Sequence, residues 1–273
     1  MQGLLKADES FDIVYRQWLL PEPKAVFLLI HGLGAHSGRW EFLADFFLRN
    51  NFSSYAIELK GFGETKDLRG HIGSFDVYFE DILSLYTIIK KENPGKNIFL
   101  IGESMGALIA FFAAARKRDL FSGLILISPV FRNKLRLPAL AYFKIFFSLI
   151  YNPKKQFNIP FDSAMCTGDS GYKKIMDSDP REHRLATASL LYNIFLAQMR
   201  APLLKRSIRL PVLFLVSGRD AFTDAEHSKK FFPGIGSQDK NIIAYPEMLH
   251  ALSIESEREK VFEDILSWAK RRA

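Results

Sequence analysis

Apolar residues along the chain follow two alternating patterns, short runs and longer stretches with helical spacing. The short runs are rich in β-branched and aromatic residues and predict buried strands at 25–31, 53–59, 97–102, 124–128, 212–217 and 241–245. The longer stretches predict helices at 38–50, 75–92, 105–118 and 255–271. Residues 11–20 predict an antiparallel edge strand. Strands alternating with helices predict an α/β fold, with a mainly parallel twisted sheet and helices on both faces.

The alternation stops near residue 130, and the strand pattern returns only after residue 205. Broad apolar faces predict two helices in this interval, at 135–151 and 186–199, and no strand. Open α/β sheets bind ligands at the carboxyl ends of their strands, where an insertion at this point would lie. We therefore expect a core and a helical cap (lid) inserted after the sixth strand. The core comprises 1–129 and 207–273, and the cap 130–206.

The composition is that of a globular protein. Of the 273 residues, 48% are apolar, which is enough to bury a sizeable core. The single cysteine, Cys166, cannot form an intramolecular disulfide, and the first residues do not predict a secretory signal. The longest apolar stretch is interrupted by Lys144 and is shorter than the roughly 20 residues of a spanning helix. These features predict a cytoplasmic protein without a membrane span.

The positive charge is concentrated in the predicted cap. The whole chain has a net charge of +7, whereas residues 130–206 alone hold 13 Lys/Arg and 5 Asp/Glu, a net of +8. One interpretation is an ordinary solvated helical surface. The other is attraction to an anionic surface such as phospholipid headgroups, with peripheral membrane contact through the basic, Phe-rich cap. No nucleic-acid-binding motif accompanies the charge, so no nucleic-acid partner is expected.

A five-residue motif, Gly102-Glu103-Ser104-Met105-Gly106, lies between an apolar strand and an apolar helix. In this context G-x-S-x-G is the nucleophile elbow of the α/β-hydrolase fold. Small residues are needed two positions before and after the serine, because the turn brings those positions against neighbouring backbone. The turn exposes the hydroxyl and directs a helix N-terminus at developing negative charge. The motif therefore predicts that Ser104 is a nucleophile.

A serine hydroxyl is a weak nucleophile at neutral pH and needs a positioned base. In this fold the triad follows the chain order Ser, Asp, His, with the histidine after the last strand. His250 satisfies that order, and Asp220 lies in a turn directly after the preceding strand. The rival acid, Asp224, has the position of a helix N-cap. Ser104, Asp220 and His250 are the predicted catalytic residues. Two other histidines are expected at the surface: His183 and His227.

Two backbone N–H groups should bind the oxyanion of the tetrahedral intermediate. One belongs to Met105, directly after the nucleophile, and the other to Leu33, in the loop after the first parallel strand. Gly32 and Gly34 flank Leu33 and let the backbone approach the substrate. His31 is expected to hold this supporting loop by hydrogen bonding.

Five segments resemble the monoglyceride lipase and lysophospholipase group of serine-aminopeptidase-like hydrolases: IHGLGAHSGRW, GESMGALIA, LILISP, VLFLVSGRD and YPEMLHAL. The resemblance spans nearly the whole chain in order and is weak through the cap. It implies Ser104, Asp220 and His250 as the triad, Leu33 and Met105 as oxyanion donors, and single-acyl lipid esters as substrates. Two positions depart from the group's pattern. Phe62 lies where the group has a histidine, and Ala107 replaces a second glycine after the elbow.

The sequence favours a serine hydrolase that cleaves lipid-like carboxylic esters, of the monoacylglycerol or lysophospholipid type, through an acyl-enzyme. No metal or organic cofactor is expected, because no metal-ligand cluster of His and Cys is seen. Alternatives with the same triad are a small-molecule carboxylesterase, a thioesterase or an aminopeptidase, although the cap offers few acidic groups to a substrate amine. A non-catalytic ligand-binding protein is the least favoured. The oligomeric state is left open.

Overall fold

The computed structural model describes residues 3–134, 138–160 and 162–273. The strands are, in chain order, β1 Leu4–Asp8, β2 Ile13–Trp18, β3 Val26–Ile30, β4 Ser53–Glu58, β5 Ile98–Glu103, β6 Gly123–Ile127, β7 Gln156–Asn158, β8 Leu185–Thr187, β9 Val212–Ser217 and β10 Lys240–Tyr245. The α-helices are α1 Glu41–Arg49, α2 Phe75–Glu92, α3 Met105–Arg116, α4 Ala139–Tyr151, α5 Ser163–Cys166, α6 Ser170–Ser178, α7 Ala188–Leu204, α8 Ala225–Phe231 and α9 Arg258–Lys270.

Eight strands form one sheet in the order β1-β2-β4-β3-β5-β6-β9-β10. The pairs β1–β2 and β2–β4 are antiparallel, and the other neighbours are parallel. Every residue of β3, β4, β5, β6 and β9 is buried. Strands buried on both faces have continuous apolar sequences, which is why the short apolar runs identified them.

Helices cover both faces of this sheet. Along β3, Val26, Leu28 and Ile30 pack with α2, α3 and α7, whereas Phe27 and Leu29 pack with α1 and α9. This alternation is the two-residue period of a strand, with each face contributing to its own apolar layer. The predicted mainly parallel sheet with helices on both faces is confirmed.

The prediction of an edge strand at 11–20 is wrong in one respect. The strand β2 is antiparallel, but β1 pairs on its outer side and takes the edge position. The residues of β1 are exposed or half-buried, so they lack the apolar alternation that identifies a strand.

Between β6 and β9 the chain leaves the sheet, and residues 130–206 of this interval are called the inserted segment below. Two of its helices, α4 and α7, correspond to the predicted ones, while residues 135–137 of the first lie outside the described part of the chain. The expectation of no strand here is wrong, since β7 and β8 pair antiparallel. Each has three residues, too few to display a period of two. No described helix is long and apolar enough to cross a membrane.

Candidate active site

The serine of the elbow lies in a strained turn between β5 and α3. Ser104 has φ 58° and ψ −116°, a conformation that costs a non-glycine residue about 1–3 kcal/mol. Its backbone N–H donates to the carbonyl oxygen of Ile127 at 2.9 Å, which ties the turn to the end of β6. Ser104 also lines a cavity. Such strain persists only where the surrounding structure holds it, and it is concentrated at functional sites.

Two glycines make this turn sterically feasible. A Cβ at Gly102 would overlap the carbonyl oxygen of Gly106, and a Cβ at Gly106 would overlap that of Ile30. Backbone atoms, unlike the end of a flexible side chain, cannot move aside to relieve such overlaps. Because α3 begins at Met105, this close packing also holds the helix N-terminus beside Ser104.

His250 and Asp220 are buried and hydrogen-bonded, with Nδ1 2.8 Å from Oδ2. Oδ1 of Asp220 accepts the backbone N–H groups of Phe222 and Thr223 at 2.8 and 2.9 Å, and Oδ2 accepts the Thr223 hydroxyl at 2.6 Å. Burial alone raises the pKa of Asp220, but attraction to His250 and these hydrogen bonds bring it below the usual 3.8. An ionised Asp220 accepts a hydrogen bond from Nδ1–H of His250, which leaves Nε2 unprotonated and able to accept a proton.

Asp224, the alternative candidate for the acid, is the N-cap of a helix. The carboxylate of Asp224 accepts the backbone N–H of His227 at 2.9 Å and caps α8. Its Oδ2 lies 4.0 Å from the guanidinium of Arg132. The position of a helix N-cap, indicated by the sequence, is confirmed.

The loop after β3 meets the elbow at the cavity. Leu33 and Met105 line the same cavity as Ser104 and His250. A Cβ added at Gly32 would lie 3.2 Å from the Cβ of Ser104, so the loop backbone passes directly against the nucleophile position. The loop after β3, the elbow at Ser104 and the side chain of His250 therefore meet at one cavity.

His31 lies beneath this loop and is fully buried. The backbone N–H of Leu59 donates to Nε2 at 3.1 Å, so the proton is on Nδ1, which donates to the carbonyl oxygen of Gly32 at 2.9 Å. Burial lowers the pKa of His31 to about 3, which keeps the ring neutral at physiological pH. The next turn of the loop uses a positive φ of 76° at Gly34, a conformation that glycine adopts without strain.

The sequence did not single out the ion pair of Arg39 and Glu182. Arg39 is buried and lines the cavity, and its Nε and Nη2 donate to both oxygens of Glu182 at 2.6 and 2.7 Å. Burial would lower the pKa of Arg39, but the carboxylate raises it above its usual value. The pair connects the loop after β3 to the inserted segment. The partners are 143 residues apart in sequence, so no local pattern could have found them.

Glu103, inside the motif, is also buried and lines the cavity. Its two carboxylate oxygens accept the backbone N–H and the hydroxyl of Ser253 at 3.1 and 2.8 Å. Burial raises its pKa above the usual 4.5, although both hydrogen bonds act against that shift. Glu103 therefore ties the elbow to the loop that carries His250.

The cavity has a volume of about 410 Å³, within the usual range for small-molecule sites. It extends from Ser104 into the inserted segment, where α4 and α7 supply apolar lining: Tyr142, Ile145, Phe146, Leu149, Leu191, Ile194 and Phe195. An apolar ligand chain could thus lie along the helices while its polar end reaches the serine hydroxyl. The lone cysteine, Cys166, lines this cavity as well.

His183 is not the surface residue that the sequence predicted. It is half-buried, and its ring stacks on Phe62 with centroids 5.1 Å apart. Its backbone N–H donates to the carbonyl oxygen of Gly34 at 3.1 Å, and Nε2 lies 3.2 Å from that of Gly61, 122 residues away in sequence. Phe62, where the resembling group has histidine, therefore packs against the inserted segment through contacts that no local pattern reveals.

Within 3–134, 138–160 and 162–273, no three His, Cys, Asp or Glu residues are grouped so as to hold a metal ion.

Comparison with known proteins identifies the family to which the chain belongs. The model of the serine aminopeptidase S33 family matches residues 21–257. The chain belongs to this family. Human monoglyceride lipase is 30% identical over 98% of this chain and 90% of its own length. The monoacylglycerol lipase of Mycolicibacterium smegmatis is 25% identical over 94% of this chain and 92% of its own.

A solved structure shows the same likeness. The monoacylglycerol lipase of Paleococcus ferrophilus superposes with a TM-score of 0.87 at 25% identity, covering 96% of this chain and 99% of that one. The predicted resemblance is confirmed: the chain has the α/β-hydrolase fold of the monoglyceride lipase group. It is a carboxylic ester hydrolase.

Proposed function

We propose that this esterase is a serine hydrolase for lipid esters with a single acyl chain, of the monoacylglycerol or lysophospholipid type. The observation that carries the proposal is the apolar cavity of about 410 Å³, which is lined both by Ser104 and His250 and by apolar side chains of α4 and α7. Its lining suits an acyl chain better than a compact polar substrate. The names of the relatives, monoglyceride and monoacylglycerol lipases, support the same substrate class.

The mechanism proceeds through an acyl-enzyme. Nε2 of His250 takes the hydroxyl proton of Ser104 as the oxygen attacks the ester carbonyl carbon, while Asp220 stabilises the imidazolium through Nδ1–H. The backbone N–H groups of Leu33 and Met105 stabilise the oxyanion. The imidazolium then gives its proton to the departing alcohol, leaving the acyl group on Ser104. Water, deprotonated by His250, attacks the acyl carbon, and the fatty acid leaves as the serine regains its proton.

Around these groups, the other loop residues have supporting roles. The hydrogen bond from His31 holds the carbonyl of Gly32, which keeps the Leu33 N–H directed at the cavity. Gly102 and Gly106 permit the strained turn. We assign residues 1–129 and 207–273 to a catalytic core and 130–206 to a cap, since the inserted segment supplies much of the lining of the cavity that also holds Ser104.

Hydrolysis of p-nitrophenyl esters of increasing acyl length tests the substrate class. We expect kcat/KM to rise with chain length, because each buried methylene contributes about 0.8 kcal/mol, up to about fourfold per carbon. Activity confined to the shortest esters would contradict the proposal and favour a small-molecule carboxylesterase. A preference for thioesters or aminoacyl amides would favour a thioesterase or an aminopeptidase. No turnover and no reaction of Ser104 with a fluorophosphonate would favour a binding protein.

We further propose that α4 makes peripheral contact with lipid surfaces. Among its 13 residues only Ser148 is buried, and large apolar side chains lie in solvent, including Phe143 (58% exposed) and Ile150 (66%). An apolar helix that lacks core contacts on one side is typical of interfacial binding. The net charge of +8 over residues 130–206 would attract the helix to anionic headgroups.

The double variant Phe143→Ser/Ile150→Ser tests this contact, since neither side chain lines the cavity. We expect turnover of a soluble short ester to stay within twofold of wild type, while turnover of substrate in anionic vesicles falls at least tenfold. Removing two such side chains from the interface costs about 3 kcal/mol. The control is Phe11→Ser, which removes an exposed phenylalanine (41%) from the turn between β1 and β2. Equal loss on both substrates would contradict the proposal.

A further inference from the structure

A buried carboxylate joins the histidine loop (246–257) to the inserted segment. Glu255 is only 4% exposed. Its Oε1 accepts the backbone N–H of Leu249 at 2.7 Å, and its Oε2 accepts those of Gly168 and Ser256 at 2.8 and 2.9 Å. Three backbone N–H donors converge on the two carboxylate oxygens of Glu255. One of these donors belongs to the turn between α5 and α6 (167–169), so Glu255 bridges two parts of the chain.

Further hydrogen bonds connect the histidine loop to the inserted segment. The backbone N–H of Ala251 donates to the carbonyl oxygen of Cys166 at 2.8 Å. The hydroxyl of Thr167 donates to the carbonyl oxygen of Ile254 at 2.8 Å. Packing reinforces them, because Cys166, Ala251 and Ile254 belong to one buried apolar cluster.

These contacts lie directly beside the base. Leu249 and Ala251 are the chain neighbours of His250, and both of their N–H groups are bound, one by Glu255 and the other by the inserted segment. The carbonyl oxygen of His250 itself accepts the hydroxyl of Ser128 at 2.7 Å, a contact from the core. A catalytic side chain must be held within about 0.5 Å of its productive position. Both neighbours of His250 contribute to that placement.

We propose that Glu255 is a positioning residue for His250, and that through it the inserted segment sets the geometry of the base in addition to lining the cavity. The inference rests on the proposed role of His250. Glu255 touches neither substrate nor reacting atoms, and it acts through the backbone of the histidine loop.

The chemistry of the leaving group offers a readout specific to this role. A p-nitrophenolate departs as an anion, whereas the glycerol of a monoacylglycerol needs the proton carried by Nε2 of His250. A displaced imidazole therefore slows acylation by the glycerol ester more than acylation by the p-nitrophenyl ester. Loss of folded enzyme lowers both rates equally. The ratio of the two kcat/KM values separates positioning from stability.

The test compares Glu255→Gln and Thr167→Val with wild type, using monooctanoylglycerol and p-nitrophenyl octanoate and counting active sites by fluorophosphonate titration. In Glu255→Gln an amide NH₂ replaces one acceptor and opposes a backbone N–H, so the loop loses at least one anchor. We expect kcat/KM for the glycerol ester to fall about 100-fold, within the range of acid–base contributions. For the p-nitrophenyl ester we expect kcat/KM to fall only about tenfold. Thr167→Val should shift the ratio in the same direction by a smaller factor, and it supplies the measurement if Glu255→Gln does not fold.

The matched control is Ser163→Ala, which removes a hydrogen bond within the inserted segment, from Ser163 Oγ to Asp177 Oδ2 at 2.9 Å, away from the histidine loop. Its ratio should equal that of wild type. An unchanged ratio in both Glu255→Gln and Thr167→Val, whatever their melting temperatures, would overturn the inference and leave Glu255 a structural residue. Failure of the proposed function is distinguishable from this, since wild type itself would then hydrolyse neither ester.

Discussion

Replacing Ser104 by alanine is expected to lower kcat for ester hydrolysis by about 10⁶-fold. The substitution removes only the hydroxyl oxygen, and the Cβ, which meets the loop after β3 at Gly32, is retained. The backbone hydrogen bonds of the turn, including the one from the Ser104 N–H to Ile127, do not involve the side chain. The expected result is therefore a folded protein with an intact cavity and no nucleophile, measured as steady-state turnover of a long-chain p-nitrophenyl ester.

A serine remote from the cavity serves as the control for this variant. Ser178 is exposed and its hydroxyl bonds within α6 to the carbonyl oxygen of Lys174. The variant Ser178→Ala should retain wild-type kcat, and both variants should melt within a few degrees of wild type. Residual activity of Ser104→Ala above about 1% of wild type would contradict the assignment of Ser104 as nucleophile.

Replacing Asp220 by asparagine is expected to lower kcat by about 10⁴-fold. Oδ1 of Asp220 accepts two backbone N–H groups, from Phe222 and Thr223, so the amide oxygen of asparagine will keep that place. The NH₂ group must then replace Oδ2, which now receives Nδ1–H of His250. Facing a donor, the imidazole adopts the tautomer with its proton on Nε2, and that nitrogen can no longer accept the serine proton.

Asp224→Asn is the matched control, with the same change of side chain four residues away. Asparagine caps helices as well as aspartate does, so α8 should keep its N-terminus and kcat should stay within twofold of wild type. Steady-state kinetics and thermal melting of both variants provide the measurement. A larger loss in Asp224→Asn than in Asp220→Asn would reverse the assignment of the acid.

The elbow could be predicted because its requirements are local in sequence. Five consecutive residues specify a strained turn, and the overlaps that a Cβ would cause at Gly102 and Gly106 explain why glycine is needed there. Asp220 and His250 could be proposed as acid and base because this fold places each of these residues directly after a strand. The central strands were recognisable because both of their faces are buried.

What escaped prediction depends on contacts between distant parts of the chain. Arg39 and Glu182 form an ion pair across 143 residues, and Glu255 accepts the N–H of Gly168 across 87 residues. In the sequence these residues resemble ordinary surface charges, because only the folded chain shows that they are removed from solvent. His183 was placed at the surface for the same reason, since its partner Phe62 is distant in sequence. The strands β1, β7 and β8 are too exposed or too short to carry a pattern.

The nucleophile can be identified directly by locating the covalent bond that it forms. Wild-type protein treated with a long-chain alkyl fluorophosphonate should gain one phosphonyl group, and digestion with mass spectrometry should place it on the peptide containing Ser104. The same treatment should leave Ser104→Ala unmodified. Pre-incubation with monoacylglycerol should slow the labelling, because the substrate occupies the same cavity. Labelling of another residue, or an unlabelled enzyme that still hydrolyses esters, would contradict the claim that Ser104 is the nucleophile.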